Sequence, residues 1–273
     1  MSLNIAYYGV PGSFSEQALL DYFPNNVNPI NNEKFEGVFK ELEKDDVHYG
    51  VVPIENSSTG PVSEIYDLLN TYPYHIVGEV FVKVEHHLLA TKDATLESIQ
   101  EVYSHPQAFE QCRPFLDQYN WSIVPHFSTA SSAEHVKNSN NPKIASISSK
   151  KAAELYGLQV LAPNINYNTT NTTRFIILGK SHKINSSCNK ISVVFTTEHK
   201  AGALYSALKS FSEYNINMLK IESRPVVHTP WQYYFYIDFE GNLDNPSIKK
   251  AINSMENDCV YFKLLGNYKS ATL

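Results

Sequence analysis

The residues best suited to chemistry lie in Tyr167-Asn168-Thr169-Thr170-Asn171-Thr172-Thr173-Arg174-Phe175-Ile176-Ile177-Leu178. Polar side chains run unbroken from Asn168 to Arg174 and give way to an apolar run closed by Gly179. That pattern predicts a buried strand entered from a loop. The last loop residues before such a strand stand at the rim of a sheet, where side chains can be aimed into a cleft. Thr173 brings a hydroxyl that can donate to an oxygen, and Arg174 a guanidinium that can hold a carboxylate. Composition alone favours a plain solvated Asn/Thr turn, so the case depends on what other segments reach the same rim.

Three strand-to-helix turns are candidates. After a strand at Asn4-Ile5-Ala6-Tyr7-Tyr8 comes Gly9-Val10-Pro11-Gly12-Ser13-Phe14-Ser15, where Ser13 or Ser15 can cap a helix. Its spacing is neither GxGxxG nor a Walker loop, so no nucleotide is implied; what remains is a helix N-terminus whose free N–H groups suit an anion. The strand Tyr49-Gly50-Val51-Val52-Pro53-Ile54 ends in Glu55-Asn56-Ser57-Ser58-Thr59-Gly60-Pro61, a dense polar turn. Val102-Tyr103 leads to Ser104-His105-Pro106-Gln107-Ala108-Phe109-Glu110-Gln111-Cys112, with Ser104 or His105 as cap and Pro106 at the first helical position. Helical spacing then puts Ser104, Gln107 and Gln111 on one face. Ligand sites in open α/β sheets gather at strand carboxyl ends, so these turns are expected to share a rim. His86-His87 invites a metal reading, but neighbours on a strand point to opposite faces and seldom chelate one ion.

The elements behind these turns follow two grammars. From residue 1 to about 180, apolar strands alternate with amphipathic stripes such as Phe35, Val38, Phe39 and Leu42, which predicts a mainly parallel α/β sheet. A polar stretch, His182-Lys183-Ile184-Asn185-Ser186-Ser187-Cys188-Asn189, reads as a linker. Beyond it Ile191, Val193 and Phe195 alternate as a strand, and Gly202-Ala203-Leu204 opens a helix. Ile216 to Ile221 is a second strand closed by Glu222-Ser223-Arg224-Pro225, and Trp231 to Phe239 alternates as a third. Asn245-Pro246 caps another helix before a last strand from Val260 to Leu265. The order β-α-β-β-α-β is the ferredoxin-like unit.

A chain of 273 residues favours about two domains, and 42% hydrophobic content is enough for real cores. Lys and Arg number 22 against 28 Asp and Glu, a net charge of −6 spread along the chain. That argues against nucleic acid or an anionic membrane as partner, and an anionic substrate would need a local positive field. The odd, scattered Cys112, Cys188 and Cys259 give no disulfide framework or metal knuckle, which favours a reducing compartment. The N-terminus reads as a strand and not as a signal peptide, and no apolar run approaches a membrane span, so a cytoplasmic location is expected. The Asn-x-Ser/Thr sequons at Asn56, Asn168 and Asn171 are read as chance.

Together the segments resemble prephenate dehydratase with a C-terminal ACT regulatory domain. The resemblance rests on Gly9-Val10-Pro11-Gly12-Ser13-Phe14-Ser15, Val52-Pro53-Ile54-Glu55-Asn56-Ser57, Ser104-His105-Pro106-Gln107-Ala108 with Gln111-Cys112, Thr173-Arg174-Phe175, Gly202-Ala203-Leu204 and Glu222-Ser223-Arg224-Pro225. It implies two α/β lobes around a cleft, like type 2 periplasmic binding proteins, in a catalytic domain over residues 1–181. Lobe one would use about 1–79 and 159–181, and lobe two about 80–158. It implies conversion of prephenate to phenylpyruvate in L-phenylalanine biosynthesis, with loss of water and carbon dioxide and without cofactor or metal. An ACT domain over 190–270 would bind phenylalanine between subunits of a homodimer or homotetramer, using Gly202, Ala203, Leu204, Glu222, Ser223, Arg224 and Pro225, and so inhibit the enzyme. Ala201 replaces a proline frequent in the family, which would loosen that effector loop.

The reaction expels a ring hydroxyl while a ring carboxylate leaves, and hydroxide is a poor leaving group, so a donor must meet that oxygen. The resemblance makes Thr173 that donor, acting by hydrogen bonding alone or backed by Glu55, His105 or a water. Around the substrate it places Asn56, Ser57, Ser104, Gln107, Gln111, Thr172, Arg174 and Phe175, with the field supplied by Arg174 and by helix N-termini at Ser13, Ser57 and Ser104. Gln107 and His105 have the alternative of shaping the wall, Arg174 of bracing the cleft through an ion pair, and Phe175 of plain core. Two rival functions are arogenate dehydratase, with the same chemistry on the amino-acid analogue, and a non-catalytic amino-acid sensor. The position of Thr173 close to the linker further suggests that an effector downstream can pull on its strand.

Overall fold

Apolar stretches of strand and helix period alternate along the first part of the chain, giving β1 (Leu3–Tyr8), α1 (Phe14–Tyr22), β2 (Val27–Asn32), α2 (Phe35–Glu41), β3 (Tyr49–Asn56), the two-residue β4 (Gly60–Pro61), α3 (Ser63–Thr71) and β5 (His75–Lys83). The structure, a computed structural model, describes residues 2–181, 184–227 and 229–272. The chain then leaves for a second sheet made of β6 (His87–Ala90), β7 (Glu101–Ser104), α4 (Pro106–Gln111), α5 (Arg113–Leu116), β8 (Ser122–Pro125), α6 (Thr129–Ser139), β9 (Ile144–Ser148), α7 (Lys150–Tyr156) and β10 (Gln159–Ala162). It returns to the first sheet as β11 (Thr172–Gly179).

The first sheet has the order β2-β1-β3-β11-β5, with β4 beside β3, and the second β10-β6-β9-β7-β8. These are the two lobes of the expected two-lobed α/β architecture. The expected mainly parallel sheet is corrected in one respect. β11 runs antiparallel to both β3 and β5, and β6 antiparallel to both β9 and β10. Strands that cross between lobes arrive from the far side, so they cannot follow the right-handed βαβ connection that makes neighbours parallel. β5 stays in the first sheet to Lys83 and β10 pairs with β6 in the second. The exchanges therefore fall at residues 84–86 and 163–171, later than the expected 79 and 159. Sequence patterning also misses β2: Val-Asn-Pro-Ile-Asn-Asn is polar and holds Pro29, tolerated because the strand is an edge paired only with β1.

The remaining elements are β12 (Lys190–Thr196), α8 (Ala203–Glu213), β13 (Met218–Pro225), β14 (Tyr233–Glu240), α9 (Pro246–Asn257) and β15 (Tyr261–Tyr268). They form an antiparallel sheet ordered β13-β14-β12-β15, the ferredoxin-like arrangement. His182 and Lys183 of the predicted linker lie outside the described residues. The aromatic strand β14 is an inner strand, and the edges of the sheet are β13 and β15. Trp231 precedes it, in the left-handed region at φ 67° and 77% exposed. No helix among the described residues is long and apolar enough to cross a membrane.

The third sheet lies against the back of the first. Val194, Tyr236, Leu265 and Tyr268 share one core with Ile176, Leu178, Ile54 and Ile76. The two backbones approach each other at Gly266, where an added Cβ would clash with the carbonyl oxygen of Ile76. Backbone cannot yield there as a flexible side chain would. Gly266→Ala should therefore destabilise the protein by roughly 3 kcal/mol, measured as a fall in unfolding free energy; a change under 0.5 kcal/mol would show that the sheets are not in this contact.

Candidate active site

Successive side chains of a strand point to opposite faces, and on β11 this decides which residues can meet a substrate. Thr173 and Phe175 open into a cleft of about 340 Å³ between the lobes. Arg174 points the other way and is 3% exposed. The register pairs Thr173 with Asn56 and Arg174 with Glu55, then slips by one residue at a bulge, a device that re-aims side chains beside active sites.

Asn56 is held from both ends. Its side-chain oxygen accepts from the backbone N–H groups of Ser58 (2.9 Å) and Thr59 (3.1 Å). Its amide donates to Asn171 Oδ1 (2.7 Å) and to Thr173 Oγ1 (2.9 Å). Thr173 oxygen is thus an acceptor toward Asn56, and among the described residues no acceptor takes its proton. The hydroxyl is left as a donor facing the cleft, and the N–H bond into its oxygen polarises the O–H further.

The opposite wall comes from α4. His105 caps it, Nδ1 accepting from Gln107 N–H at 3.2 Å, and Pro106 supplies the first helical residue as the sequence predicts. Gln107 reaches across the cleft to Thr59 Oγ1 at 3.0 Å, a link between lobes. Gln111 Oε1 lies 2.8 Å from His86 Nε2; since that oxygen only accepts, Nε2 carries the proton and the Gln111 amide N–H groups are free for a ligand. Burial lowers the pKa of His105, and pushes that of His86 down to about 4 despite the Gln111 bond. Both rings are neutral at pH 7. The N-termini of α1, capped by Ser13, and of α6, capped by Ser128 in a capping box with Ser131, also face the cleft and offer backbone N–H groups. Phe14, Phe35, Val62 and Val84 complete an apolar lining.

Several expected site residues are elsewhere. Ser104 is fully buried and donates to Ile147 O at 2.7 Å, tying β7 to β9. Ser57 and Thr172 clip the loop: Ser57 Oγ accepts from Thr172 N–H (3.0 Å) and Thr172 Oγ1 donates to Thr170 O (3.2 Å). Ser57 heads no helix, because the hairpin to β4 intervenes and α3 starts at Ser63. Glu55 and Arg174 lie behind the sheet. Arg174 pairs there with Asp238 (2.7 Å), Glu79 (2.8 Å) and Glu55 (3.1 Å) and donates to Tyr268 OH (3.2 Å). Burial works against its charge, but Asp238 and Glu79 more than offset that and hold it protonated. Bracing is the role its geometry fits.

Asn56, Thr173, Phe175, His105, Gln107 and Gln111 are brought together at the cleft. Sequence reasoning passed over His86, Phe127, Ser128 and Thr129 at its wall. Ser128 was legible as a cap three residues before Ser131; His86 drew attention only as half of a His-His pair. Among the described residues, no Asp, Glu, Lys or Arg belongs to the cleft wall and no cluster able to hold a metal occurs.

In the third sheet, Gly202 caps α8 in the left-handed region at φ 80°, which favours glycine, with Ala203 and Leu204 in the first turn. Glu222, Ser223, Arg224 and Pro225 belong to edge strand β13, and Arg224 pairs with Asp67 of α3 at 2.7 Å.

Residues 5–183 match the family model described as prephenate dehydratase. The chain belongs to that family. A bifunctional chorismate mutase/prephenate dehydratase of Enterobacter agglomerans is 36% identical over 98% of the chain and 70% of its own length. A crystal structure of an Arthrobacter aurescens prephenate dehydratase in complex with L-Phe aligns over 98% of this chain and 90% of its own, with a TM-score of 0.89 and 29% identity. A structure described as GqqA, a quorum-quenching acylase, aligns over 98% of both chains with a TM-score of 0.90 and 28% identity.

The buried His86 predicts a pH dependence of stability. Its folded pKa of about 4 lies below the ordinary 6.5, so the unfolded chain takes the proton first and stability falls as pH drops through that window. Between pH 7 and pH 5 His86 should account for a loss of about 2 kcal/mol in urea unfolding. His86→Gln should lose less over the same interval; an equal loss would assign the effect to other groups.

Proposed function

We propose that this cleft converts prephenate to phenylpyruvate, with the Thr173 hydroxyl donating to the departing ring oxygen. The observation that carries this reading is the Asn56–Thr173 bond, which leaves a polarised donor in a cleft without charged side chains. The bond from the ring to its carboxylate breaks, carbon dioxide leaves, and that electron pair enters the ring as it becomes aromatic. The ring C–O bond breaks in turn, and the oxygen departs as water with one added proton, delivered through the Thr173 hydroxyl and restored from solvent. Apolar surroundings from Phe14, Phe35 and Phe175 favour loss of a charged carboxylate as a neutral gas. The side-chain carboxylate is held by N–H groups at α1 and α6 and by the Gln111 amide. Neutral His105 shapes the wall beside them.

The same architecture is described for an acylase, so fold alone does not select the reaction; the family match does, and the oriented threonine supports it. Arogenate carries an ammonium group that the wall, having no carboxylate, cannot pair. We therefore assign prephenate as preferred substrate. Residues 1–181 are assigned as catalytic domain and 190–270 as an ACT domain binding phenylalanine, on the motifs and on the relative described with L-Phe. On β13, Leu219 and Ile221 are each 45% exposed, and Tyr205 of α8 is exposed too. An open apolar edge of this kind suits a second copy of the chain. That pairing would put Gly202–Leu204 of one protomer beside Glu222–Pro225 of its partner, as a homodimer or a pair of them. The three cysteines, scattered along the sequence, suit the reducing cytoplasm.

Thr173→Val should fold, bind prephenate with a KM within a few-fold of the parent and lose roughly 10³ in kcat, followed as phenylpyruvate absorbance. Near-normal turnover would remove Thr173 from the reaction. In a mixture of prephenate and arogenate, phenylpyruvate should be the dominant product; a predominance of phenylalanine would overturn the substrate assignment.

A further inference from the structure

Six charged side chains are gathered between the first and third sheets, on the face of β11 away from the cleft. From the first sheet come Glu55, Glu79 and Arg174, and from the third Lys190, Lys220 and Asp238. Arg174, Glu79, Lys190 and Asp238 are all buried. The first sheet supplies one positive and two negative groups, a net −1; the third supplies two positive and one negative, a net +1. Each side is unbalanced alone and the two neutralise each other, so neither is at ease without its partner. Removing one member of such a buried set leaves an uncompensated charge.

The cluster is attached to the chemistry in two places. Arg174 follows Thr173 in β11, and Glu55 precedes Asn56 in β3. These residues are register partners, so the two that meet behind the sheet carry the two that meet in front of it. Each is also held by the third sheet: Arg174 by Asp238 of β14, and Glu55 by an ion pair with Lys220 of β13. β13 and β14 are neighbours, and β13 also carries Glu222–Pro225.

We propose that Lys220 and Asp238 are positioning residues for the reaction: by gripping Glu55 and Arg174 from behind, the third sheet sets the distance between Asn56 and Thr173. Lys220 stands two residues before Glu222 on one strand, so a ligand that shifts β13 moves Glu55 and with it the Asn56 amide. This rests on the assignment of Thr173 as donor and of β13 as part of an effector site, and it names the side chains through which the two communicate. The Thr173 bond to Asn56 is a single directional contact, so it is sensitive to such a shift.

The test uses the full-length protein. Lys220→Met should lower kcat roughly tenfold with KM within twofold, and should weaken inhibition by phenylalanine. Lys220→Arg, which keeps the charge, should restore most of both. Tyr261→Phe is the control: it breaks a hydrogen bond from Tyr261 to Asn70, between the third sheet and α3, outside the cluster, and should change neither. If Lys220→Met fails to fold, Glu55→Gln reads the same link at nearly constant size. A second readout does not need turnover. In protein carrying carbon-13 threonine methyl groups, the Thr173 resonance, assigned by its loss in Thr173→Val, should move in Lys220→Met and stay put in Tyr261→Phe. A folded Lys220→Met protein with unchanged kcat and an unmoved Thr173 resonance would overturn the proposal, as would an equal effect from Tyr261→Phe. A parent protein that makes no phenylpyruvate but whose Thr173 resonance moves as stated would refute the assigned reaction and leave the mechanical link standing.

Discussion

Because side chains alternate along a strand, β11 presents two environments one residue apart. Thr173 enters a cleft between lobes, and Arg174 is locked into charges shared with the third sheet. The rest of the structure depends on keeping these two faces distinct. If the strand slipped by one position, the guanidinium would face the substrate and the hydroxyl would be buried among carboxylates. The ion cluster opposes that slip, since moving Arg174 forward would strand Glu79 and Asp238 without their partner.

With its charges kept behind the sheet, the cleft would act on the proposed dianion using neutral groups only. Backbone N–H groups at α1 and α6, the Gln111 amide and the Thr173 hydroxyl are all fixed by caps or by the hydrogen bonds of Asn56 and His86. Fixed dipoles in an apolar surround stabilise developing charge without reorganising. They also leave the departing carboxylate poorly solvated, which an arginine in the same place would prevent. The overall negative charge of the chain is therefore no obstacle, because the field that matters is set within a few ångströms.

Much of this was legible in the sequence. The apolar run after Thr173, the polar turn at Asn56 and the Pro106 helix start each announced a local structure with a mechanism, and the ferredoxin-like order was plain in the alternation from Ile191 onward. Side-chain direction was not legible at the rim, where loop gives way to strand and the phase of alternation is undefined until the register is known. That is why Thr172, Arg174, Glu55 and Ser57 were grouped with Thr173 and Asn56. Ser104 was misplaced for a related reason: at the end of a strand, its hydroxyl faced a neighbouring carbonyl that only the sheet order reveals. β2 escaped because an edge strand needs little hydrophobic patterning, and the lobe exchange was set too early because β5 and β10 read as strands without saying which sheet they join.

The division between a neutral front and a charged back is tested most directly by a crystal structure of Thr173→Val with prephenate bound. The ring hydroxyl should lie within hydrogen-bond distance of where the Thr173 oxygen stood, and the side-chain carboxylate should rest on the N-terminal amides of α1 and α6. Arg174 should keep its contacts with Glu79 and Asp238. A complex in which Arg174 has turned into the cleft to bind a carboxylate would contradict the account.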